Sequence, residues 1–125
     1  MASIRSRGNL TTEIGLARLL RSTHIKGWRR HQPLAGKPDF IFEQKRLAVF
    51  VDGCFWHGCP KCYRMPEDNR AYWSQKVTKN RDRDKRNTQE LRADGWRVIR
   101  IWEHALKNPR GRATVLVRLR KALRA

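Results

Sequence analysis

Acidic residues are scarce in this chain: 11 Asp and Glu stand against 29 Lys and Arg among 125 residues, a formal charge of +18. So much positive charge repels itself and calls for a polyanionic partner, with nucleic acid the natural one. Long apolar runs are also missing. No opening stretch pairs a basic start with an apolar segment of about 7 to 15 residues, and none approaches the roughly 18 needed to span a bilayer. A secreted or membrane-embedded protein is not expected. Cysteine is limited to Cys54, Cys59 and Cys62. An odd number so tightly clustered is a poor disulfide framework, which points to a reducing compartment and a metal site. Internal repeats, low-complexity tracts and linkers are absent, so residues 1–125 are expected to form one domain.

The basic residues run from Arg5 to Arg124 and are interleaved with five Trp, four Phe and two Tyr, which suits a folded nucleic-acid surface better than a disordered arm. A basic start, residues 1–10, is expected to be mobile. Thr11 or Thr12 is placed to cap a helix carrying Ile14, Leu16, Ala17, Leu19 and Leu20 on its apolar face. Trp28 to His31 reads as extended and Pro33 to Pro38 as a loop. Asp39–Phe42 and the continuously apolar Leu47–Val51 read as strands joined by a polar turn, Glu43-Gln44-Lys45-Arg46. Residues 52–66 lose all periodicity and need a staple. One broken or two consecutive helices follow from Tyr72 to Asp94, ended by Gly95. Trp96–Trp102 is a further strand, and Thr114–Leu123 an amphipathic closing helix. This order predicts an α/β fold (α+β mixed sheet) flanked by helices.

Cys54-x4-Cys59-x2-Cys62 supplies three thiolates, and tetrahedral zinc wants a fourth ligand. His57 lies inside the loop. His104, just after the last strand, is preferred because a distant ligand ties the loop to the sheet. Four protein ligands make such a zinc structural.

Phosphodiester hydrolysis needs a carboxylate-held cation such as Mg²⁺ and a group to move protons. Asp39 opens the first strand of the hairpin. With a turn centred on Lys45, Asp39 falls opposite Val51, whose carbonyl is a candidate second ligand; a loop one residue different puts Asp52 on the same face instead. His57 is a candidate acid or base, and Glu13 can reach the same end of the sheet. Plainer roles stay open for each: Glu13 suits a helix start, Asp39 a strand cap and His57 a zinc ligand.

Taken together, Gly36-Lys37-Pro38-Asp39-Phe40, Val49-Phe50-Val51-Asp52-Gly53-Cys54-Phe55-Trp56-His57-Gly58-Cys59, Gly95-Trp96-Arg97-Val98 and Ile101-Trp102-Glu103 resemble the very short patch repair (Vsr-like) endonucleases. Ile4-Arg5-Ser6, Thr12-Glu13, Asn80 and Arg83-Asp84 extend the resemblance. It implies a restriction-endonuclease-like core, a structural zinc on Cys54, Cys59, Cys62 and His104, and Mg²⁺-dependent nicking of one strand beside a T:G mismatch. It further implies that Asp39 and the Val51 carbonyl region hold Mg²⁺, that His57 is the catalytic histidine and Glu13 an accessory carboxylate, and that Phe55 and Trp56 wedge into the duplex. The best-known members carry histidine where this chain has Asp52, cysteine at the position of His104 and histidine at that of Cys59. The expected partner is double-stranded DNA with a T:G mismatch, with mismatch-repair proteins as further partners, and the expected setting is the nucleoid of the bacterial cytoplasm. A monomer is expected. Competing readings are a restriction- or homing-type nuclease of the same fold and a non-catalytic zinc-bearing DNA-binding module. The remaining tryptophans, at 28, 73, 96 and 102, are assigned to the core.

Overall fold

The computed structural model describes residues 10–54 and 68–124, with side chains in the first helix from residue 13 onward. The elements are α1 (Leu10–Ser22), β1 (Trp28–Arg30), β2 (Phe40–Phe42), β3 (Leu47–Asp52), α2 (Arg70–Ala93), β4 (Arg97–Trp102) and α3 (Pro109–Arg124), with short 3-10 turns at Glu43–Lys45 and Glu103–Leu106. Their order is the one expected from periodicity. The four strands make one mixed sheet in the order β1-β2-β3-β4, antiparallel as far as β3, with β4 parallel to β3. Residues 1–9 and the stretch from Phe55 to Glu67, including His57, Cys59 and Cys62 of the expected zinc loop, lie outside the described residues.

Every residue of β3 is buried, as its unbroken apolar run requires. Alternation divides the core. Phe40, Phe42, Leu47, Val49, Val51 and Ile101 pack on one face against Leu16, Ala17 and Leu20 of α1 and Val115 and Leu119 of α3. Ile41, Ala48 and Phe50 pack on the other face with Leu91 of α2 and Trp96. A parallel β3–β4 pair needs a crossover, and α2 supplies it as a single unbroken helix rather than the two segments that Tyr72–Asp94 allowed. Gly95, at φ +91, takes the left-handed conformation that stops it.

Several expectations need correction. Thr11 and Thr12 lie within α1 rather than capping it, and Ile14 is exposed. Helix α3 starts at Pro109, where a proline costs no hydrogen bond, five residues before the apolar stripe reveals it. Only Trp96 of the four assigned tryptophans is buried; Trp28 packs edge-on against Phe40, Trp102 is half-buried, and Trp73 stands beside exposed Tyr72 outside both core clusters. The β2–β3 register is also one residue shorter than a turn centred on Lys45 gives: Phe40 faces Val49 and Phe42 faces Leu47. The turn spans four residues, with Arg46 left-handed at φ 48, so its centre falls between Gln44 and Lys45. Continuing that register sets Asp39 against Phe50, and Phe50 and Asp52 share a face of β3.

Among the described residues no helix is long and apolar enough to cross a membrane. Glycine fixes one helix contact that bears on the site. A Cβ on Gly111, in the first turn of α3, would collide with the Ala105 carbonyl oxygen, so glycine lets α3 close onto the turn carrying Glu103 and His104. Gly111→Ala is expected to lower the melting temperature by several degrees. Gly15→Ala, inside α1 with nothing within 4 Å of the added carbon, should leave it unchanged or raise it by helix propensity, up to about 1 kcal/mol. Thermal denaturation of the two variants checks the contrast.

Candidate active site

Glu13, Asp39 and Asp52 come from three elements, yet all are buried, at 5%, 8% and 6% exposure. In a protein so poor in acids, three buried carboxylates at one end of one sheet need a reason, since burial disfavours the charged form unless it is paired. Two are paired. Glu13 Oε1 accepts from Arg30 Nη2 at 3.0 Å and lies 3.2 Å from His31 Nε2. Asp52 Oδ1 accepts from Arg100 Nη1 at 2.9 Å. Arg100 is itself fixed: it lies over the Phe50 ring at 4.0 Å, donates from Nε to the Thr88 hydroxyl, and reaches the Asp84 carbonyl from Nη2. Helix α2 therefore holds Asp52 through Arg100.

Asp39 differs. Pairing of β2 with β3 stops at Phe40, and the Asp39 carboxylate takes the Val51 N–H, accepting from it through Oδ2 at 2.7 Å. Residue 51 thus meets Asp39 through its N–H and the Asp39 side chain, not by the cross-strand pairing expected of a turn centred on Lys45. Desolvation pushes the Asp39 carboxyl up from 3.8 to about 7. The Val51 hydrogen bond opposes the rise, while the Glu13 and Asp52 charges and a hydrogen bond with Glu13 add to it. Glu13 and Asp52 are therefore its electrostatic neighbours, and Glu13 does reach this end of the sheet. A cavity of about 390 Å³, lined by His31, Gln32, Pro33, Lys37 and Asp39, opens beside the carboxylate.

Hard, divalent cations prefer oxygen donors, and a carboxylate kept from ionising by burial and by neighbouring negative charge is relieved by one. Asp39 fits as one ligand of such a cation on those grounds, although among the described residues no three His, Cys, Asp or Glu side chains gather to complete a set. A second donor set lies just past the strand ends. Cys54 Sγ is 3.4 Å from His104 Nδ1, about the spacing of two ligands on one tetrahedral zinc with bonds of about 2.3 and 2.0 Å. The Cys54 backbone N–H donates to Glu103 Oε1 at 2.7 Å, which ties Cys54 to the turn after β4. Among the described residues His104 meets Cys54, and His57 lies outside them. Phe55 and Trp56 belong with His57, Cys59 and Cys62 to the stretch outside them.

Sequence reasoning missed His31, Lys37, Arg100 and Glu103. The first follows from strand pairing: Arg30 faces Phe40, so the next residue on β1 comes level with Asp39, and the His31 N–H donates to the Asp39 carbonyl. Arg100 was legible as a polar residue between Ile99 and Ile101 of a half-buried strand, but its partner was not.

The raised Asp39 carboxyl links folding to pH. A group whose folded value lies above its unfolded one stabilises the fold fully below about pH 4 and loses that contribution as pH rises through 7. Asp39→Asn keeps an acceptor for Val51 and removes the buried charge. In EDTA, the variant is expected to melt higher than the parent at pH 8, by on the order of a few kcal/mol, with the gap closing towards pH 5. Melting curves across that range check it, and a gap independent of pH would contradict the assignment.

The family described as DNA mismatch endonuclease Vsr matches residues 1–64. The type II nicking enzyme V.XorIIP of Xanthomonas oryzae is 38% identical over 110 residues, covering 86% of this chain and 79% of that protein. The DNA mismatch endonuclease Vsr of Escherichia coli is 36% identical over 109 residues, covering 86% and 69%. The type II nicking enzyme V.NaeI of Lentzea aerocolonigenes is 52% identical over 68 residues, 54% of this chain, and the match spans 41% of that protein's length. A buried carboxylate cluster at the end of a mixed sheet and these matches lead to one conclusion: the chain belongs to the Vsr family and is a DNA endonuclease of that family.

Proposed function

We propose that this endonuclease nicks one strand of duplex DNA beside a T:G mismatch, with Mg²⁺ at the active site and a structural zinc in the loop after β3. The observation that carries the reading is Asp39, buried with two further carboxylates and opening onto a cavity with two basic side chains on its wall. Relatives whose names describe nicking enzymes and a mismatch endonuclease support strand nicking over double-strand cutting.

Asp39, with the Val51 backbone beside it, would hold Mg²⁺. Bound there, the cation supplies positive charge against the negative charge that develops on the phosphoryl oxygens. The protein's own groups do the rest. The Val51 N–H fixes the Asp39 carboxylate, leaving Oδ1 outside that bond. Glu13 is the accessory carboxylate and orients His31. Asp52 takes the place of the family histidine, its charge countered by Arg100. His57 is assigned the proton transfer, as acid or base. Phe55 and Trp56 are assigned the wedge, since unstacking is least costly beside an imperfect pair. Cys54, Cys59, Cys62 and His104 are assigned the zinc, which would join the loop to β4 and leave no position open for catalysis. We further propose that the protein acts as a monomer on nucleoid DNA in the bacterial cytoplasm, alongside mismatch-repair proteins.

The deciding experiment uses three otherwise identical duplexes, matched, T:G and another mismatch, with Mg²⁺ or EDTA, resolved on a denaturing gel. Nicking is expected only with T:G and Mg²⁺. Asp39→Ala should abolish it, a loss of at least about a thousandfold, while the protein still folds. Equal cutting of all three duplexes would remove the mismatch specificity, and full activity of Asp39→Ala would remove the mechanism. Elemental analysis of protein purified without chelator should give one zinc per chain. His104→Ala should lose that zinc and melt lower; a variant that keeps both would exclude His104 as a ligand.

A further inference from the structure

The cavity beside Asp39 is walled by a short loop with two unusual backbone positions. His31 and Lys37, both non-glycine, sit in the left-handed region at φ 55 and 52. Each costs about 1 kcal/mol or more, a strain that persists only where the surroundings hold it. Here they do. Leu34 and Ala35, between them, pack into the core cluster on the α2 face, and the Lys37 N–H donates to the Leu34 carbonyl at 2.8 Å. Gly36, at φ 75, sits so close to Asn87 of α2 that a Cβ would lie 2.9 Å from that side chain. The loop is thus clamped between the sheet and α2.

The clamp presents Lys37 at the rim of the same cavity that has Asp39 at its buried end. Lys37 is exposed, and among the described residues no carboxylate pairs with it; Glu13 is taken by Arg30 and His31, and Asp52 by Arg100. An ammonium held in a fixed backbone conformation, two residues from a buried carboxylate and unpaired across an open cavity, is arranged for an anion that spans the gap.

We propose that Lys37 binds a non-bridging oxygen of the phosphodiester that is cut, making the 31–38 loop the scissile-phosphate clamp of this enzyme. The proposal rests on the endonuclease reading of Asp39. It assigns the lysine of the Gly36-Lys37-Pro38-Asp39 segment a contact with the reacting group, where the carboxylate side of the site would otherwise repel the phosphate. A compact ammonium suits a single phosphate oxygen.

The test separates this contact from general charge. In EDTA, binding of the full chain to a T:G duplex is measured against salt for the parent, Lys37→Ala, Lys37→Arg and, as a control, Lys26→Ala beyond the opposite end of β2. Each phosphate contact adds about 0.9 to the slope of log affinity against log salt. Lys37→Ala is expected to lower the slope by about that amount, Lys37→Arg to restore it, and Lys26→Ala to leave it unchanged. With Mg²⁺, Lys37→Ala should lower kcat by on the order of tenfold to a hundredfold, because the contact is made at the reacting phosphorus. An unchanged slope, an equal fall at Lys26→Ala, or a rise in KM with kcat unchanged would overturn the assignment. If the parent binds but does not nick, the catalytic reading fails on its own, and the slopes in EDTA still decide whether Lys37 touches a phosphate.

Discussion

Three carboxyl groups share one buried end of the sheet, and most of the site's architecture answers to the cost of charging them together. Glu13 is answered by Arg30 and His31 from β1 and the residue after it, and Asp52 by Arg100 from β4. Among the described residues Asp39 has no cation opposite it, only the Val51 N–H and a hydrogen bond with Glu13. That imbalance concentrates the electrostatic stress on one carboxyl, which burial and its two neighbours hold near neutrality. Positive charge brought beside Asp39 would relieve that stress.

The scaffold follows from that need. A hairpin brings Asp39 beside Val51, and α1 crosses the same end to deliver Glu13. The parallel pairing of β3 with β4 makes both strands finish at the same edge, with Asp52 level with Trp102. Cys54 and His104, each two residues further on, meet there for the same geometric reason. One topological choice therefore places the carboxyl groups and the Cys54–His104 pair along one edge.

Much of this was legible in the residues. Periodicity gave the order of elements, the apolar run of β3 gave its burial on both faces, and the mismatch between a loop with three cysteines and a lone late histidine pointed to His104. The hairpin register was misplaced by one residue, because symmetry about Lys45 takes no account of Arg46 turning left-handed. Arg100 was invisible as a partner for Asp52, since ion pairs across 48 residues leave no periodic trace. Trp73, assigned to the core, is half-buried near the start of α2. His31 and Lys37 were passed over because a left-handed backbone at a histidine or a lysine has no compositional signal.

The spans of these contacts also set an order of assembly. The Asp39–Val51 bond closes 12 residues and the Arg30–Glu13 pair 17, whereas Asp52–Arg100 and Cys54–His104 close 48 and 50. Longer loops lose more chain entropy on closing, and these two also wait for α2 and β4 to exist. A chain still emerging from the ribosome can form its hairpin while Asp52 has no counter-charge and Cys54 no histidine. An enzyme that breaks DNA is thereby completed only once β4 and the turn after it have been made.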